Sequence, residues 1–495
     1  MTTGQLREID GIPVYGNFIG GEWVAATSGA TFENRNPARP SELIGHFAAS
    51  DRGDVAAAVT AATDAFPGWA STSAIARANI LYTAAERLNA RLGEVARDLT
   101  REEGKTLREA IGETSRAVAI LRYYAGEIQQ PDGEHYPSAN PHTFLFTIRE
   151  PLGPVGIITP WNFPIAIPIW KAIPAIAFGN TVVLKPASFT LLTTVHIAEV
   201  LQEAGLPAGV FSLVTGSASQ VGDPLVRDER IVGISFTGSD AVGNGIKRIA
   251  SERGAKVQLE LGGKNPAIVL ADADLDHALT QVINGSMLSA GQKCTATSRA
   301  IVDRRISDEV TARLGERIAA LTVGDPLADA TQIGPVISDE AVTRLAGAVD
   351  RARAEGVTLV TGGTRPEIEG GHYLAPTLFA DVANESFLGQ DELFGPVLGV
   401  IPVDGLDEAI AVANQVRYGL SASIFTRDLG TAMTFIRGIQ AGIVHVNSET
   451  AGAEPQVPFG GYKGSSSYSR EQGKAAREFY TQLKTVYLDP PPTGA

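Results

Sequence analysis

Between residues 80 and 99 the apolar positions Leu81, Ala84, Ala85, Leu88, Leu92, Val95, Ala96 and Leu99 recur at three- and four-residue spacings, the stripe of one amphipathic helix. From residue 181 the period changes. TVVL (181–184), VFSLV (210–214), IVGISF (231–236) and KVQLE (256–260) are short β-rich runs, separated by helical stretches across about 190–204, 219–227 and 240–252. Strand, helix, strand at this spacing predicts a parallel, doubly wound sheet, whose ligands bind at the carboxyl ends of the strands. The turns after Leu184, Val214, Phe236 and Glu260 are therefore the first places to look for function. A second alternating region predicts another α/β unit: AIVL (267–270), a helix across about 274–290, AIVD (300–303), and helices near 307–321 and 339–354. The run TQLKTVYL (481–488) reads as an edge strand able to pair with another chain.

The longest uncharged stretch, Pro151 to Trp170, reaches membrane-spanning length, but Pro154, Pro160, Pro164 and Pro168 interrupt it. It predicts a buried strand, VGIIT (155–159), followed by an irregular loop. At the N-terminus Arg7, Glu8 and Asp10 precede any apolar run, so a cytoplasmic location is expected. The 495 residues suit two to four domains, and 44% hydrophobic with 19% charged residues describes a folded chain. A net charge of −14 repels phosphate backbones and anionic surfaces, so neither nucleic acid nor membrane is expected as a partner. The one cysteine, Cys294, excludes an intramolecular disulfide and a Cys-based metal cluster, and no metal is expected to take part.

The phosphate-binding, zinc-hydrolase, dithiol and serine-hydrolase signatures are all absent, as is G-x-G-x-x-G; Gly216 to Gly222 after VFSLV is the nearest approach, and by itself it reads better as a plain strand-to-helix turn. Cys294 stands in GQKCTATSR, among polar neighbours that suit a reactive thiolate. Thirty-four residues upstream, QLELGGKNP (258–266) sets Glu260 at a predicted strand end, before two glycines that let backbone approach a ligand. A carboxylate beside a thiol can act as its general base. Taken singly, each residue also reads as structural: an inert thiol and a surface glutamate.

Seven ordered segments decide between those readings: TPWNFP (159–164), KPAS (185–188), FTGS (236–239), ELGGKNP (260–266), GQKC (291–294), ELFGPV (392–397) and PFGGYKGSSSYSRE (458–471). Through them the chain resembles the aldehyde dehydrogenases over nearly its whole length. The resemblance implies an aldehyde dehydrogenase-like α/β fold: two doubly wound α/β domains plus a small β oligomerisation arm. It divides the chain into an NAD(P)-binding domain (1–130 and 150–259), a catalytic domain (260–450), a bridging arm (131–149 and 480–490), and a segment, 451–479, returning to the cofactor-domain side. It implies NAD(P)-dependent oxidation of an aldehyde to a carboxylate, in a homodimer or homotetramer.

Carried over position by position, the resemblance makes Cys294 the nucleophile that forms a thiohemiacetal and then a thioester. Asn162, with the backbone N–H of Cys294, stabilises the oxyanion. Glu260 activates the hydrolytic water, and Glu471 with Lys171 relays protons outward. Lys185 contacts the adenosine ribose, Ser239 the pyrophosphate and Glu392 the nicotinamide ribose, while Trp161 and Phe394 line the nicotinamide. Gly216, Gly222, Phe236, Thr237, Gly238, Leu261 and Gly262 complete the cofactor set. Ser188 departs from the glutamate many NAD-preferring members carry; without a carboxylate to repel a 2′-phosphate, NADP is expected to be accepted, even preferred, alongside NAD.

Within the family, LRYYAGE (121–127), PWNFPIAIPIWK (160–171), GLSASIFT (419–426) and SSSYSREQG (465–473) most resemble the α-ketoglutaric semialdehyde (2,5-dioxopentanoate) dehydrogenases. The alternatives are another semialdehyde, such as succinic semialdehyde, or an aromatic aldehyde. An anionic substrate needs a cation or several donors; Arg122, Lys293, Thr295, Gln129 and Ser448 are the candidates, with Phe163 and Phe459 as tunnel aromatics. A non-catalytic structural relative would not require Cys294, Glu260 and Asn162 together, and CoA-acylating relatives commonly lack the glutamate that Glu260 matches.

Overall fold

The computed structural model describes residues 4–491. Its first sheet has five parallel strands in the spatial order Lys256–Glu260, Gly233–Thr237, Pro154–Ile158, Thr181–Lys185 and Phe211–Leu213. The hairpin Asn17–Ile19 and Glu22–Val24 extends it antiparallel, turning through Gly20 and Gly21 at φ 61° and 88°, the left-handed values a two-residue turn requires. Helices Ala74–Ala90, Leu107–Glu127, Ala166–Ala177 and Leu192–Glu203 bury one face of the sheet, and Arg52–Ala70 with Asp240–Glu252 bury the other. Strands covered on both faces read as continuous apolar runs, which is what made these five legible.

From Pro154–Ile158 the chain steps outward to Thr181–Lys185 and Phe211–Leu213, then resumes on the other side with Gly233–Thr237. The order reverses between Pro154–Ile158 and Gly233–Thr237, and a crevice opens beyond the carboxyl ends at such a switch point.

A second sheet runs Thr358–Thr361, Thr377–Ala380, Val397–Val403, Thr297–Asp303, Asn265–Val269, Ser421–Phe425 and Ile443–Val446, parallel except for its first strand. The fold is thus two doubly wound α/β units. A small antiparallel arm joins Thr481–Leu488, Phe144–Pro151 and His135–Tyr136. The N-terminal sheet of Gln5–Ile9, Ile12–Tyr15, Arg39–Ala48 and Thr31–Asn36 was not anticipated; its strands mix charged and apolar residues with little period. Among the described residues no helix is long and apolar enough to cross a membrane.

Two expectations are corrected. The stripe over 80–99 is two helices, Ala74–Ala90 and Leu92–Glu103, broken at Arg91, whose guanidinium turns in to Glu199 at 2.8 Å. The apolar period crosses the break because both helices pack on Leu107–Glu127. The irregular loop expected after residue 159 ends early, in the helix Ala166–Ala177. Pro168 sits in its first turn, where an amide N–H would lack a partner anyway.

Candidate active site

Asn162 lies in the turn after Pro154–Ile158, at the switch point, and is buried. Its Nδ2 donates to the Gln292 carbonyl at 2.9 Å, and its own carbonyl accepts from Lys105 Nζ at 2.7 Å. The first amides of the following helix, Ile165 and Ala166, both donate to Glu113 Oε1 at 3.1 Å. Lys105 and Glu113, themselves 2.6 Å apart, thereby fix the Asn162 loop from both ends.

The Cys294 loop enters from the second unit. Ser289, Ala290 and Gly291 are all left-handed, at φ 55°, 50° and 68°, and a Cβ on Gly291 would lie 2.2 Å from the Gly395 carbonyl oxygen. Glu109 supports this costly turn by accepting from Ser289 N at 2.7 Å and Oγ at 3.2 Å. Asn265 Nδ2 holds the carbonyls of Cys294 and Ala296 at 2.8 and 2.9 Å. Gly263 passes so close that a Cβ there would stand 2.4 Å from the Cys294 oxygen. Two cavities, of about 260 and 340 Å³, are both lined by Cys294.

Burial, with the fields of Glu392 and Glu260 added, pushes the Cys294 thiol up to about 12. The backbone N–H groups of Cys294 and Thr295 act against that rise. Burial and then Glu471 raise the Glu260 carboxyl well above the usual carboxylate range. Glu260 Oε2 accepts from Ser466 Oγ at 2.6 Å, while Oε1 is buried without a partner among the described residues. Behind it, Lys171 Nζ donates to Glu471 and, at 2.9 Å, to Ser235 Oγ, and Trp170 Nε1 donates to Glu471 at 2.7 Å.

Trp161, Thr237, Gly238, Ser239, Leu261, Gly262, Glu392 and Phe394 line the smaller cavity, with Trp161 edge-on to Phe394 at 5.5 Å. Glu392 accepts from Gly263 N at 2.8 Å and is raised to about 7, chiefly by burial. Farther along the strand ends, Lys185 Nζ bonds, among the described residues, only the Pro186 carbonyl, at 3.0 Å, and burial brings it down to about 8. Ser188 Oγ donates to the Gly216 carbonyl at 3.4 Å, and Gly222 closes the turn Ala218–Gly222. Phe236 requires a correction: its side chain is buried in the core beneath Gly238, where a Cβ would meet its ring at 2.5 Å, so it supports the crevice floor without facing the cavity. Among the described residues, an orphan hydroxyl on buried Thr237, a Glu392 carboxylate held by one backbone bond and a lysine with no carboxylate partner fit the hydroxyls and phosphates of a nicotinamide dinucleotide.

The larger cavity gathers Phe163, Lys293, Thr295 and Phe459. Arg122 is not among them: it is exposed and paired with Glu86 at 2.8 Å. Nor are Gln129, in the turn after the helix Leu107–Glu127 and bonded back to its Ala125 carbonyl, and Ser448, bonded to Ser423 and His445. Sequence reasoning missed Lys105, Glu109, Glu113 and Arg116, although Glu109, Gly112, Glu113 and Arg116 recur at the three- and four-residue spacing of one helix face. It also missed Arg344, which lines the cofactor-side cavity and donates to the Leu393 carbonyl.

A sulfur bordered on one side by a crevice that fits a dinucleotide and on the other by a separate cavity is an arrangement suited to a nucleotide-dependent oxidoreductase. The chain belongs to the aldehyde dehydrogenase family, which matches residues 23–486. It is 47% identical over 479 residues to the alpha-ketoglutaric semialdehyde dehydrogenase of Bacillus subtilis, covering 96% of this chain and 98% of that one. To the alpha-ketoglutarate semialdehyde dehydrogenase of Haloferax volcanii it is 46% identical, covering 95% and 98%. Betaine aldehyde dehydrogenase from Staphylococcus aureus, solved in complex with NAD+, superposes with a TM-score of 0.94 at 34% identity, over 97% of this chain and 95% of the other. The protein is therefore an oxidoreductase that converts an aldehyde to a carboxylate with NAD(P).

Proposed function

We propose that this enzyme oxidises 2,5-dioxopentanoate (α-ketoglutaric semialdehyde) to 2-oxoglutarate, and that it takes NADP as well as NAD. The observation that carries the substrate reading is the identity of 46–47%, over nearly complete chains, to two relatives named for that aldehyde. In this reading Cys294 loses its thiol proton to solvent and its Sγ, as the thiolate, adds to the aldehyde carbon where the two cavities meet. Asn162 Nδ2 leaves the Gln292 carbonyl for the new oxyanion, joined by the Cys294 N–H. The bound nicotinamide supplies the hydride acceptor. Glu392 holds the ribose on that side, and Trp161 and Phe394 wall it in. Glu260, its Oε1 free of partners among the described residues, then takes a proton from the water that attacks the thioester. Glu471 and Lys171 lie behind it to carry that proton outward.

The cofactor reading is supported by Ser188, which puts a hydroxyl where a carboxylate would repel a 2′-phosphate, and by Lys185, which lacks an anionic partner among the described residues. The arm supports assembly into a homodimer or homotetramer: its edge strand Thr481–Leu488 leaves Leu483, Tyr487 and Leu488 exposed, beside exposed Phe144. The test is kcat/KM for 2,5-dioxopentanoate, succinic semialdehyde and benzaldehyde with both cofactors. A higher value for either of the last two overturns the substrate reading, and no turnover with NADP overturns the cofactor reading.

A further inference from the structure

The helix Leu107–Glu127 lays Glu109, Gly112, Glu113 and Arg116 along the wall of the larger cavity. Three of these side chains are charged, and they differ in what satisfies them. Glu109 is occupied by the Ser289 amide and hydroxyl, and Glu113 by Lys105 and the Ile165 and Ala166 amides. Arg116 has neither a hydrogen bond nor an ion pair among the described residues, although it is only partly exposed. Glu113 and Glu454 act on it through space without bonding it, and burial works against its charge.

The other two cations on the cavity wall are committed. Lys105 bonds Glu113 and the Asn162 carbonyl, and Lys293 donates to the Asn284 carbonyl with Glu449 at 3.9 Å. A partly buried guanidinium left without acceptors is costly, and its planar fork matches a carboxylate. Its place along the helix matters too. Glu109 and Glu113 serve the Cys294 and Asn162 loops, so that part of the helix marks the reacting end; Arg116 lies one turn beyond Glu113, a rise of about 4.5 Å.

We propose that Arg116 is the carboxylate-binding residue of the substrate cavity, holding the far end of a short aldehyde acid whose carbonyl carbon stands at Cys294. The proposal deepens the substrate reading above and rests on it for the identity of the acid. It also explains how a chain of net charge −14 accepts an anion: one unneutralised arginine faces the cavity while the neighbouring charges cancel locally.

The test measures KM and kcat for the wild-type holoenzyme, Arg116→Gln and Arg116→Lys with 2,5-dioxopentanoate, succinic semialdehyde and uncharged pentanal. Arg116→Gln should raise KM for both acids by about tenfold or more while pentanal stays within about twofold, since a charged hydrogen bond is lost without loss of the catalytic loops. Arg116→Lys should recover part of the difference, keeping the charge without the fork. Equal losses for pentanal and the acids, or acids unchanged in Arg116→Gln, would overturn the proposal. A wild type that prefers succinic semialdehyde overturns the identity of the acid alone, and Arg116 stands if both acids still fall together in the variant.

Discussion

The ammonium of Lys105 donates to the backbone carbonyl of Asn162 at 2.7 Å, so the residue proposed as oxyanion donor is held from its main chain by a buried cation. Burial opposes that charge, yet Glu103 and Glu113 outweigh it and raise the lysine. Lys105→Met would free one end of the Asn162 loop and leave the buried Glu113 carboxylate with the Ile165 and Ala166 amides but without its cation. The stability lost should be about 3 to 5 kcal/mol, read by denaturant unfolding. In the fraction that folds, kcat should fall by about tenfold to a hundredfold, because a donor displaced by about 1 Å misses the oxyanion. The dissociation constant for NAD should not move, and a matching rise in it would show that the change is not confined to the Asn162 loop.

Glu260 to Gln keeps the shape of the side chain and removes its basicity. Asn162 and the cofactor cavity are untouched, and Cys294 loses only the field of Glu260 that opposed its ionisation, so thiohemiacetal formation and hydride transfer should proceed once. Rapid mixing should show a burst of reduced cofactor close to one per active site, followed by a steady rate lower by about two to four orders of magnitude. An unchanged steady rate would place water activation on another group.

The thiol is the only cysteine in the chain, which makes alkylation a clean reporter of its ionisation. With the thiol up at about 12, the thiolate fraction is small at neutral pH and grows with every unit below that value. Inactivation of the free enzyme by iodoacetamide should therefore accelerate about tenfold per pH unit from 7 to 10, without the levelling near 8.5 of an ordinary cysteine. Glu392 contributes to the rise only while ionised, which given its own value of about 7 means above neutrality. Glu392→Gln should thus speed alkylation at pH 8 to 9 and leave it unchanged at pH 6.

What the sequence made legible follows from where the chemistry sits. Cys294, Glu260 and Asn162 occupy turns and strand ends, where composition signals close backbone approach, and the structure sets Cys294 on both cavities, Asn162 on the wall of the smaller one and Glu260 near enough for its field to act on the thiol. The helix face carrying Glu109, Glu113 and Arg116 was illegible, because charges at helical spacing ordinarily mark a solvated surface and only tertiary packing turned this face inward. Arg122 was chosen from the same helix. Six residues beyond Arg116, it lies about 240° further around the axis, and so meets Glu86 in solvent instead of the cavity. The Gly20-Gly21 hairpin, by contrast, carried a turn signal that went unread.

Cofactor choice should turn on Ser188 and on the protonation of Lys185. A 2′-phosphate needs the lysine charged, whereas a 2′-hydroxyl needs only a hydrogen-bonding partner. Burial brings Lys185 down to about 8, so the cation is present below that pH and is lost as pH rises through it. The ratio of KM for NADP to KM for NAD should therefore increase between pH 7 and 9, less steeply once bound phosphate pulls the lysine back up. Ser188→Glu should raise the same ratio at pH 7 by about tenfold or more, since it sets a carboxylate against the phosphate and offers an acceptor to the ribose hydroxyl. Ser188→Ala separates the two effects: it removes only the bond to the Gly216 carbonyl and should leave the ratio within about twofold, as one weak neutral hydrogen bond predicts. Equal changes in both Michaelis constants for Ser188→Glu, at either pH, would remove residue 188 from the discrimination.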